Sequence, residues 1–520
     1  MLSFGAMLDG HARVSPDRLG ARDLERTLSF AQWNRRARKL ANALLALGLE
    51  KGDRVAVLSH NRLEWAELYA ATSKAGLIIV PINFRLAAAE ASYIIKDAGA
   101  ACVIAEDGLH RLIDSVRADL ALAADRFVHF GDGATPEGWQ DFEAFLGAGV
   151  EAAPEIDIDE DDPWTLMYTS GTTGKPKGVI HTHRSMALIA LVTENELKIG
   201  REDDALLVMP MCHANSLNFF CAFGYCGGTV TIYSRPSFDA AHAMDVMEDC
   251  GATFTSLVPT HYIMMLEQAR AESTKRDLGR MTKLMISSAP ARAETKKSIM
   301  EMFPNSGLFE LYGSSEAGWV TMLHPEEQFT NLGSVGRECI GSAPVKFLDD
   351  DGNEVPDGTP GELFSRTPYH FQRYWNLPEK TREAFRGDYC SVGDIGLRDE
   401  RGFLHIIDRK KNMIISGGEN VYPTEVEALL GQHEAIRDVA VIGLPDPRWG
   451  ERVHAVVALR DGCTLTQAEV ISFCADRIAG FKKPRSVSFV PSDAIPRTAT
   501  GKIQHSELRS IVLKEISETA

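Results

Sequence analysis

The chain has 520 residues, 44% hydrophobic and 24% charged, enough for roughly two to four domains. That usage excludes disorder, collagen-like repetition and a disulfide mini-scaffold. A net charge of −17 speaks against a dominant nucleic-acid surface. The acidic excess is uneven: residues 410–520 carry 14 basic and 14 acidic side chains, so the preceding 409 residues hold all of it.

The first residues, MLSFGAMLDGHARV, lack a basic segment followed by an apolar one and do not read as a signal peptide. Trp33, Ala37, Leu40, Ala41, Leu44 and Leu47 share one helical face. Strand-like runs at 55–58, 77–82 and 101–105 alternate with helical segments at 63–75 and 87–95. This alternation predicts a parallel sheet covered by helices on both faces. Six carboxylates within 155–162 read as a solvated linker.

Residues 168–178, YTSGTTGKPKG, are the most informative stretch. Thr169, Ser170, Thr172 and Thr173 supply hydroxyls, Gly171 and Gly174 let backbone approach an anion, and Lys175 and Lys177 neutralise charge. The glycine spacing, and the proline after Lys175, do not fit a P-loop. Composition alone would also describe a flexible linker. The apolar flanks at 164–167 and 179–180 predict instead a loop between buried strands.

Residues 205–234 carry no Asp, Glu, Lys or Arg, but Pro210, His213, Asn215, Ser216 and Asn218 interrupt them. They read as a buried segment rather than a membrane span. A turn-rich passage around 349–361 predicts a small antiparallel subdomain. After 410 the rhythm changes: Thr424 with Glu427, and Thr466 with Glu469, match capping boxes, and strand-like runs occupy 439–442 and 453–459. Nine scattered cysteines with no C-x-x-C predict reduced thiols in a cytoplasm and no zinc ribbon. The expected fold is α/β. A large multi-subdomain part, 1–409, combines parallel αβα sheets with the antiparallel subdomain, and a small α+β domain follows at 410–520.

The string YTSGTTGKPKGV resembles the phosphate-binding motif of the AMP-forming acyl-CoA synthetases and their adenylate-forming relatives. LYGSSEAG (311–318), SVGDIG (391–396), DRKKNMIISGGENVYP (408–423) and PRTATGK (496–502) follow in that family's order. The resemblance runs from about residue 30 to about 508. It implies two half-reactions: a carboxylate attacks ATP to give acyl-AMP and pyrophosphate, then the CoA thiol takes the acyl group and AMP leaves.

The resemblance also implies roles. Thr169, Ser170, Gly171, Thr172, Thr173, Gly174, Lys175 and Lys177 would hold the β- and γ-phosphates. Glu316 would bind Mg2+, and Ser315, where the family usually has threonine, would meet the α-phosphate. Ser288, Ala289, Pro290, Glu310, Leu311, Tyr312, Gly313 and Ser314 fall at nucleotide positions, with Tyr312 stacking on adenine. Asp394 would accept from the ribose hydroxyls, Arg409 would contact the ribose or phosphate, and Ile406 falls at a further nucleotide position. Lys411 occupies the hinge of a small domain that is mobile in the family. Gly417, Gly418 and Glu419 belong to the face that turns in for CoA. Lys502, otherwise an ordinary surface lysine, would bridge the attacking carboxylate and the α-phosphate.

His213 falls at the position that lines the acyl pocket. With no Lys or Arg in 205–234, a dicarboxylate is disfavoured and a medium-chain, cyclic or aromatic acid is expected. His181 and His183 could suggest a metal pair, but the family commonly has Thr-His here. An acyl-adenylate-forming enzyme that does not use CoA, or a luciferase-like oxygenase, would share these motifs. A carrier-linked module would be expected to continue into a carrier domain with a G-G-x-S-L string. The implied partners are a small carboxylate, ATP and CoA, with no nucleic acid and no integral membrane association. A homodimer is left open.

Overall fold

Strands of small and β-branched residues, buried almost end to end, dictate the layering of the first 332 residues. Arg54–Leu58, Ile78–Ile82 and Ala100–Glu106 are apolar on both faces and so require cover above and below. The computed structural model describes residues 2–169, 176–272, 276–287, 291, 293–416, 419–475, 477–498 and 501–519. Among these residues the three strands lie in an eight-stranded sheet. Its order is Arg373–Tyr374, Lys177–Thr182, Pro163–Thr169, Ile78–Ile82, Arg54–Leu58, Ala100–Glu106, Phe127–Phe130, Gln140–Asp141. Strands from Pro163–Thr169 onward run parallel, while Lys177–Thr182 returns antiparallel as a hairpin. A nine-stranded sheet contains Lys283–Ser287, Gly307–Ser314 and Gly318–Leu323.

The helices follow the expected periodicity. Phe30–Ala46 opens on a Ser29–Gln32 capping box and buries Trp33, Ala37, Leu40, Ala41 and Leu44. Glu64–Ala75 is buried along its whole length. Phe4, Trp33, Trp164 and Phe220 form an aromatic core, with Phe4 stacked on Trp164 at 5.7 Å and on Phe220 at 5.0 Å between ring centroids. The polar atoms of this core are bonded: Trp33 Nε1 donates to the Ala66 carbonyl at 2.9 Å, and the Tyr69 hydroxyl to that of Met211 at 2.7 Å. Leaving either unmade would cost about 1–3 kcal/mol.

The stretch 205–234 is indeed interior: it forms Asp204–Leu207, the helix Ala214–Cys226 and Thr229–Ile232. No described helix is long and apolar enough to cross a membrane. All nine cysteines are free thiols.

The chain groups into two compact units. One comprises Met1–Leu332, Gly336–Pro344 and Ser365–Cys390; the other comprises Gly333–Val335, Val345–Phe364 and Ser391–Ala520. The second unit contains the antiparallel sheet Lys346–Leu348, Gly361–Phe364, Asp394–Arg398, Leu404–Arg409. It also contains the long hairpin Ile436–Asp446 with Gly450–Leu459. The antiparallel subdomain therefore groups with the C-terminal residues. The reason is local: Leu404–Arg409 runs directly into the single turn Lys410–Asn412. The Asp408 carboxylate accepts from Asn412 Nδ2 at 3.2 Å and from the Thr424 amide at 3.0 Å, and Lys410 meets Asp350 and Glu362 at 2.9 and 3.0 Å.

Thr424 is not a helix cap. Its helix, Pro423–Leu430, starts one residue earlier because proline suits the first helical position, and Tyr422 is the N-cap. The Thr424 hydroxyl donates to the Ile407 carbonyl, and Glu427 accepts from the Val441 amide at 2.8 Å and pairs with His505 Nε2 at 2.8 Å. Thr466 with Glu469 does form the expected box, on Gln467–Phe473.

Burial pulls the His505 pKa down, but the bond to and charge of Glu427 outweigh it and raise the pKa above the ordinary 6.5. The pair's stabilisation is therefore complete below that ordinary value and is lost as pH rises through the higher folded one. The urea midpoint of the C-terminal unit should fall between pH about 6 and about 8, and His505→Gln should flatten that slope. An unchanged slope in the variant would remove the pair from the account.

Candidate active site

In the hairpin of the eight-stranded sheet, Thr169 stands opposite Lys177, so these two residues are the feet of the glycine-rich loop. The loop residues Ser170, Gly171, Thr172, Thr173, Gly174 and Lys175 lie outside the described residues, as do Ser288, Ala289, Pro290, Gly417 and Gly418. The Lys177 ammonium stands 4.1 Å from the centroid of the Tyr374 ring, a cation–π contact. Burial lowers its pKa, and the charge of Glu316 works in the opposite direction.

Glu316 comes from the other sheet, at the turn between Gly307–Ser314 and Gly318–Leu323. A register shift at Tyr312/Gly313 starts that turn. A Cβ on Gly313 would stand 2.2 Å from the Gly318 carbonyl oxygen, so no larger residue fits without moving backbone. The Ser314 hydroxyl accepts from the Ala317 amide at 2.9 Å and closes the turn.

Neighbouring segments then pin each residue of the turn. His181 Nε2 meets the Ser315 carbonyl at 2.6 Å, and burial pushes the His181 pKa down to about 4, so a neutral ring donates from Nε2. The Phe371 amide donates to the Glu316 carbonyl at 2.6 Å, Thr367 Oγ1 to that of Ala317 at 2.8 Å, and the Tyr369 hydroxyl to that of Trp319 at 2.8 Å. Tyr374 donates its hydroxyl to Glu316 Oε1 at 2.9 Å. Arg373 and Tyr374 also pair with Ile180 and Val179, so one short strand holds the Glu316 turn against the Lys177 strand. Glu316 is only 8% exposed; Tyr312, Gly313, Ser314 and Ser315 are half-buried and Leu311 is buried. Glu310 differs from them: its buried carboxylate is engaged by Lys296, whose ammonium also meets Gln328 at 3.0 Å.

His213 occupies the N-cap position of Ala214–Cys226. Burial, with a contribution from Arg85, pushes its pKa down to about 4, and Nε2 is buried without a hydrogen-bond partner. His261 is also pushed to about 4 by the same two causes, and its Nδ1 is likewise orphaned. Asn215 bridges the helix to the nine-stranded sheet, donating to Ser287 Oγ at 2.9 Å and accepting from Ser256 Oγ at 3.1 Å. Phe219 packs on Trp319 at 5.5 Å, and the Trp319 indole donates to Thr193 at 2.7 Å.

A further charged group lies within the second unit. Asp394 and Arg409 face each other across two antiparallel strands and form an ion pair at 2.6 Å. Lys502 is exposed; desolvation still lowers its pKa, the charge of Arg409 lowers it further and that of Asp394 opposes both. The Lys502 amide donates to Thr498 Oγ1 at 3.1 Å and its carbonyl accepts from the Thr498 amide at 2.8 Å. Gly501, at φ +81°, takes a left-handed conformation that favours glycine. Ile406 is half-buried opposite Gly396, Lys411 is exposed in the turn after the sheet, and Glu419 is exposed opposite Ser416.

His181 and His183 do not converge on a common point: His183 stacks on Trp164 at 5.6 Å. Sequence reading missed Tyr374, the clamp of His181 on Ser315 and the reach of Arg85. None has a local pattern; each acts on a partner distant in the chain.

The profile described as "AMP-binding enzyme" matches residues 8–375, and "AMP-binding enzyme C-terminal domain" matches 425–502. A feruloyl-CoA synthase from Amycolatopsis sp is 34% identical over 500 residues, 96% of each chain. An indoleacetate–CoA ligase from Aromatoleum aromaticum is 34% identical over 511 residues, 98% of each. The crystal structure of ATP-bound MatB from Rhodopseudomonas palustris superposes with a TM-score of 0.88 at 31% identity, covering 98% of each chain. The geometry of the turn makes its own prediction. Gly313→Ala should cost about 1–3 kcal/mol by displacing backbone around the Gly318 carbonyl. A thermal midpoint equal to that of the parent would show that the turn has room to adjust.

Proposed function

The chain belongs to the AMP-binding enzymes and is an AMP-forming carboxylate–CoA ligase, and on that premise we propose that its acid is aromatic or cyclic, with medium-chain acids as the next class. The observation that carries this reading is the region around His213. The helix that His213 caps buries Phe219 against Trp319 and carries Asn215, which joins Ser256 and Ser287, and His213 and His261 each have a buried ring nitrogen without a partner. Such a lining, mostly apolar with a few fixed polar groups, suits a planar ring bearing one or two polar substituents. The relatives named for ferulate and indoleacetate support it.

Adenylation brings a carboxylate to a polyphosphate, so cations and fixed donors must stand where charge accumulates. A carboxylate oxygen bonds to the α-phosphorus as the bond to the bridging oxygen breaks and pyrophosphate leaves. The CoA sulfur then bonds to the acyl carbon, and AMP leaves with the mixed-anhydride oxygen. In this reading Thr169, Lys177 and loop 170–175 hold the β- and γ-phosphates. The Ser315 hydroxyl meets the α-phosphate from a backbone held by His181, and Tyr312 stacks on adenine.

Glu316 fits Mg2+: it is a hard oxygen donor oriented by Tyr374, and bound there the ion would neutralise phosphate charge. Asp394 and Arg409 receive the ribose, and Lys502 brings positive charge to the reacting oxygens. Residues 410–520 turn about Lys411 between the half-reactions and bring Gly417, Gly418 and Glu419 to the CoA path. The nine free thiols support a reducing compartment such as the cytoplasm.

The decisive measurement is CoA-dependent AMP release from MgATP across hydroxycinnamic, arylacetic, cyclic and medium-chain acids. Turnover should be greatest with an aromatic or cyclic acid. No turnover with any acid by folded, ATP-binding protein would overturn the reading. Lys502→Ala should abolish acyl-AMP formation while leaving thioester formation from supplied acyl-adenylate largely intact. Equal loss of both half-reactions would count against the rotation.

A further inference from the structure

Asp107, His110 and His129 lie in the first unit, at the carboxyl ends of two adjacent parallel strands. Asp107 follows Ala100–Glu106, His129 is the third residue of Phe127–Phe130, and His110 opens the short helix His110–Asp114. The parallel pairing sets Ala105 beside His129, and the Asp107 amide extends the ladder by donating to the Phe130 carbonyl at 2.7 Å. The Gly108 amide donates to Asp107 Oδ1 at 2.9 Å and turns the carboxylate toward the two rings. We propose that these three side chains form a binding site for a borderline divalent cation of the Zn2+ type, separate from the ligase site.

Distance is the first argument. Asp107 Oδ1 lies 3.4 Å from His129 Nε2 and 3.6 Å from His110 Nδ1, and the three ligand atoms all fall within 4.8 Å of one another. Hydrogen bonds between such groups centre near 2.9 Å, so neither contact is a good one. Zinc bonds of about 2.0–2.2 Å in a tetrahedron space their ligands roughly 3.3–3.6 Å apart, which matches both separations to Asp107.

One ligand atom of the three is unpartnered. His110 is 7% exposed, and its buried Nδ1 has no hydrogen-bond partner. Left so, it costs about 1–3 kcal/mol; a metal would take its lone pair. The two imidazoles meet edge to face, at 5.0 Å and 79°, so they do not stack. Trp139 packs edge-on against both rings and is itself held by its indole bond to Asp114 at 2.9 Å.

Space around Asp107 is kept free. A Cβ on Gly131 would stand 2.6 Å from the Asp107 Cβ, and one on Gly133 would stand 2.5 Å from Asp107 Oδ2. The chain leaving the His129 strand therefore has glycine at both places where it passes Asp107. Asp107 is exposed, so the remaining coordination position opens to solvent and takes water. Two imidazoles with one carboxylate select Zn2+ or Co2+ over Mg2+, which keeps this site apart from the MgATP requirement. Bound metal would tie two strand ends and a helix together and stabilise the sheet edge by mass action.

The test uses the full-length protein after chelation. Zn2+ titrated without nucleotide should bind at one equivalent and raise the thermal midpoint, and Co2+ should give the visible absorption of a low-symmetry four-coordinate ion. Asp107→Asn and His110→Gln should each weaken Zn2+ binding by about tenfold or more. Both should leave CoA-dependent AMP release by the chelated, Mg2+-supplied enzyme unchanged. The absence of stoichiometric binding overturns the proposal. So does binding that both variants retain in full, since the free thiols would then be the ligands.

Discussion

The Ser314–Ala317 turn is the point on which the polar architecture of the first unit depends. It exists because Gly313 lets the returning strand come within contact of its own backbone. It points one way because Ser315, Glu316 and Ala317 each have their carbonyl taken by a residue from elsewhere in the chain. Those clamps come from His181, Phe371 and Thr367, which belong to or adjoin the other sheet. The turn is thus a joint between two sheets, and Glu316 is the carboxylate held at that joint. Tyr374 completes it by presenting its hydroxyl to Glu316 and its ring face to Lys177.

The chain is acidic overall, and three of its cations each have an anion near them. Lys177 feels Glu316, Arg409 is paired to Asp394, and Lys502 feels both members of that pair. In a partly buried setting these charges act over short range at an effective dielectric well below that of water. The overall −17 therefore says little about the potential near any one of these groups. The step in charge at residue 410 coincides with a single turn, Lys410–Asn412, anchored on both sides by Asp408 and by the ion pairs of Lys410.

Thr169 and Asp107 both stand at strand ends of the eight-stranded sheet. Thr169 ends one parallel strand and Asp107 follows another, and parallel strands put their carboxyl ends on one edge. Open α/β sheets place ligand sites at that edge because loops there are free to vary over a rigid frame. Thr169 and the Asp107–His110–His129 cluster share this geometry, with two strands lying between theirs.

Period and local chemistry were enough to read the helix of Trp33 and Leu40, the strands at 55–58 and 101–105, and the Thr466 cap, because the interactions that form them lie within a few residues. The motif strings were legible for the same reason: a phosphate loop and a glycine-led turn are written in consecutive residues. Thr424 misled because its competitor, Asp408, lies outside the window that a capping box inspects, and Pro423 had already set the helix start. The sequence by itself determined the elements, the order of the motifs and the chemical class. The tertiary structure alone decided that Tyr374 reaches Glu316, that His181 holds Ser315, and that Asp107, His110 and His129 meet. A lone histidine or tyrosine carries no local sign of its partner, and only the pairing of distant strands brings the two within bonding distance.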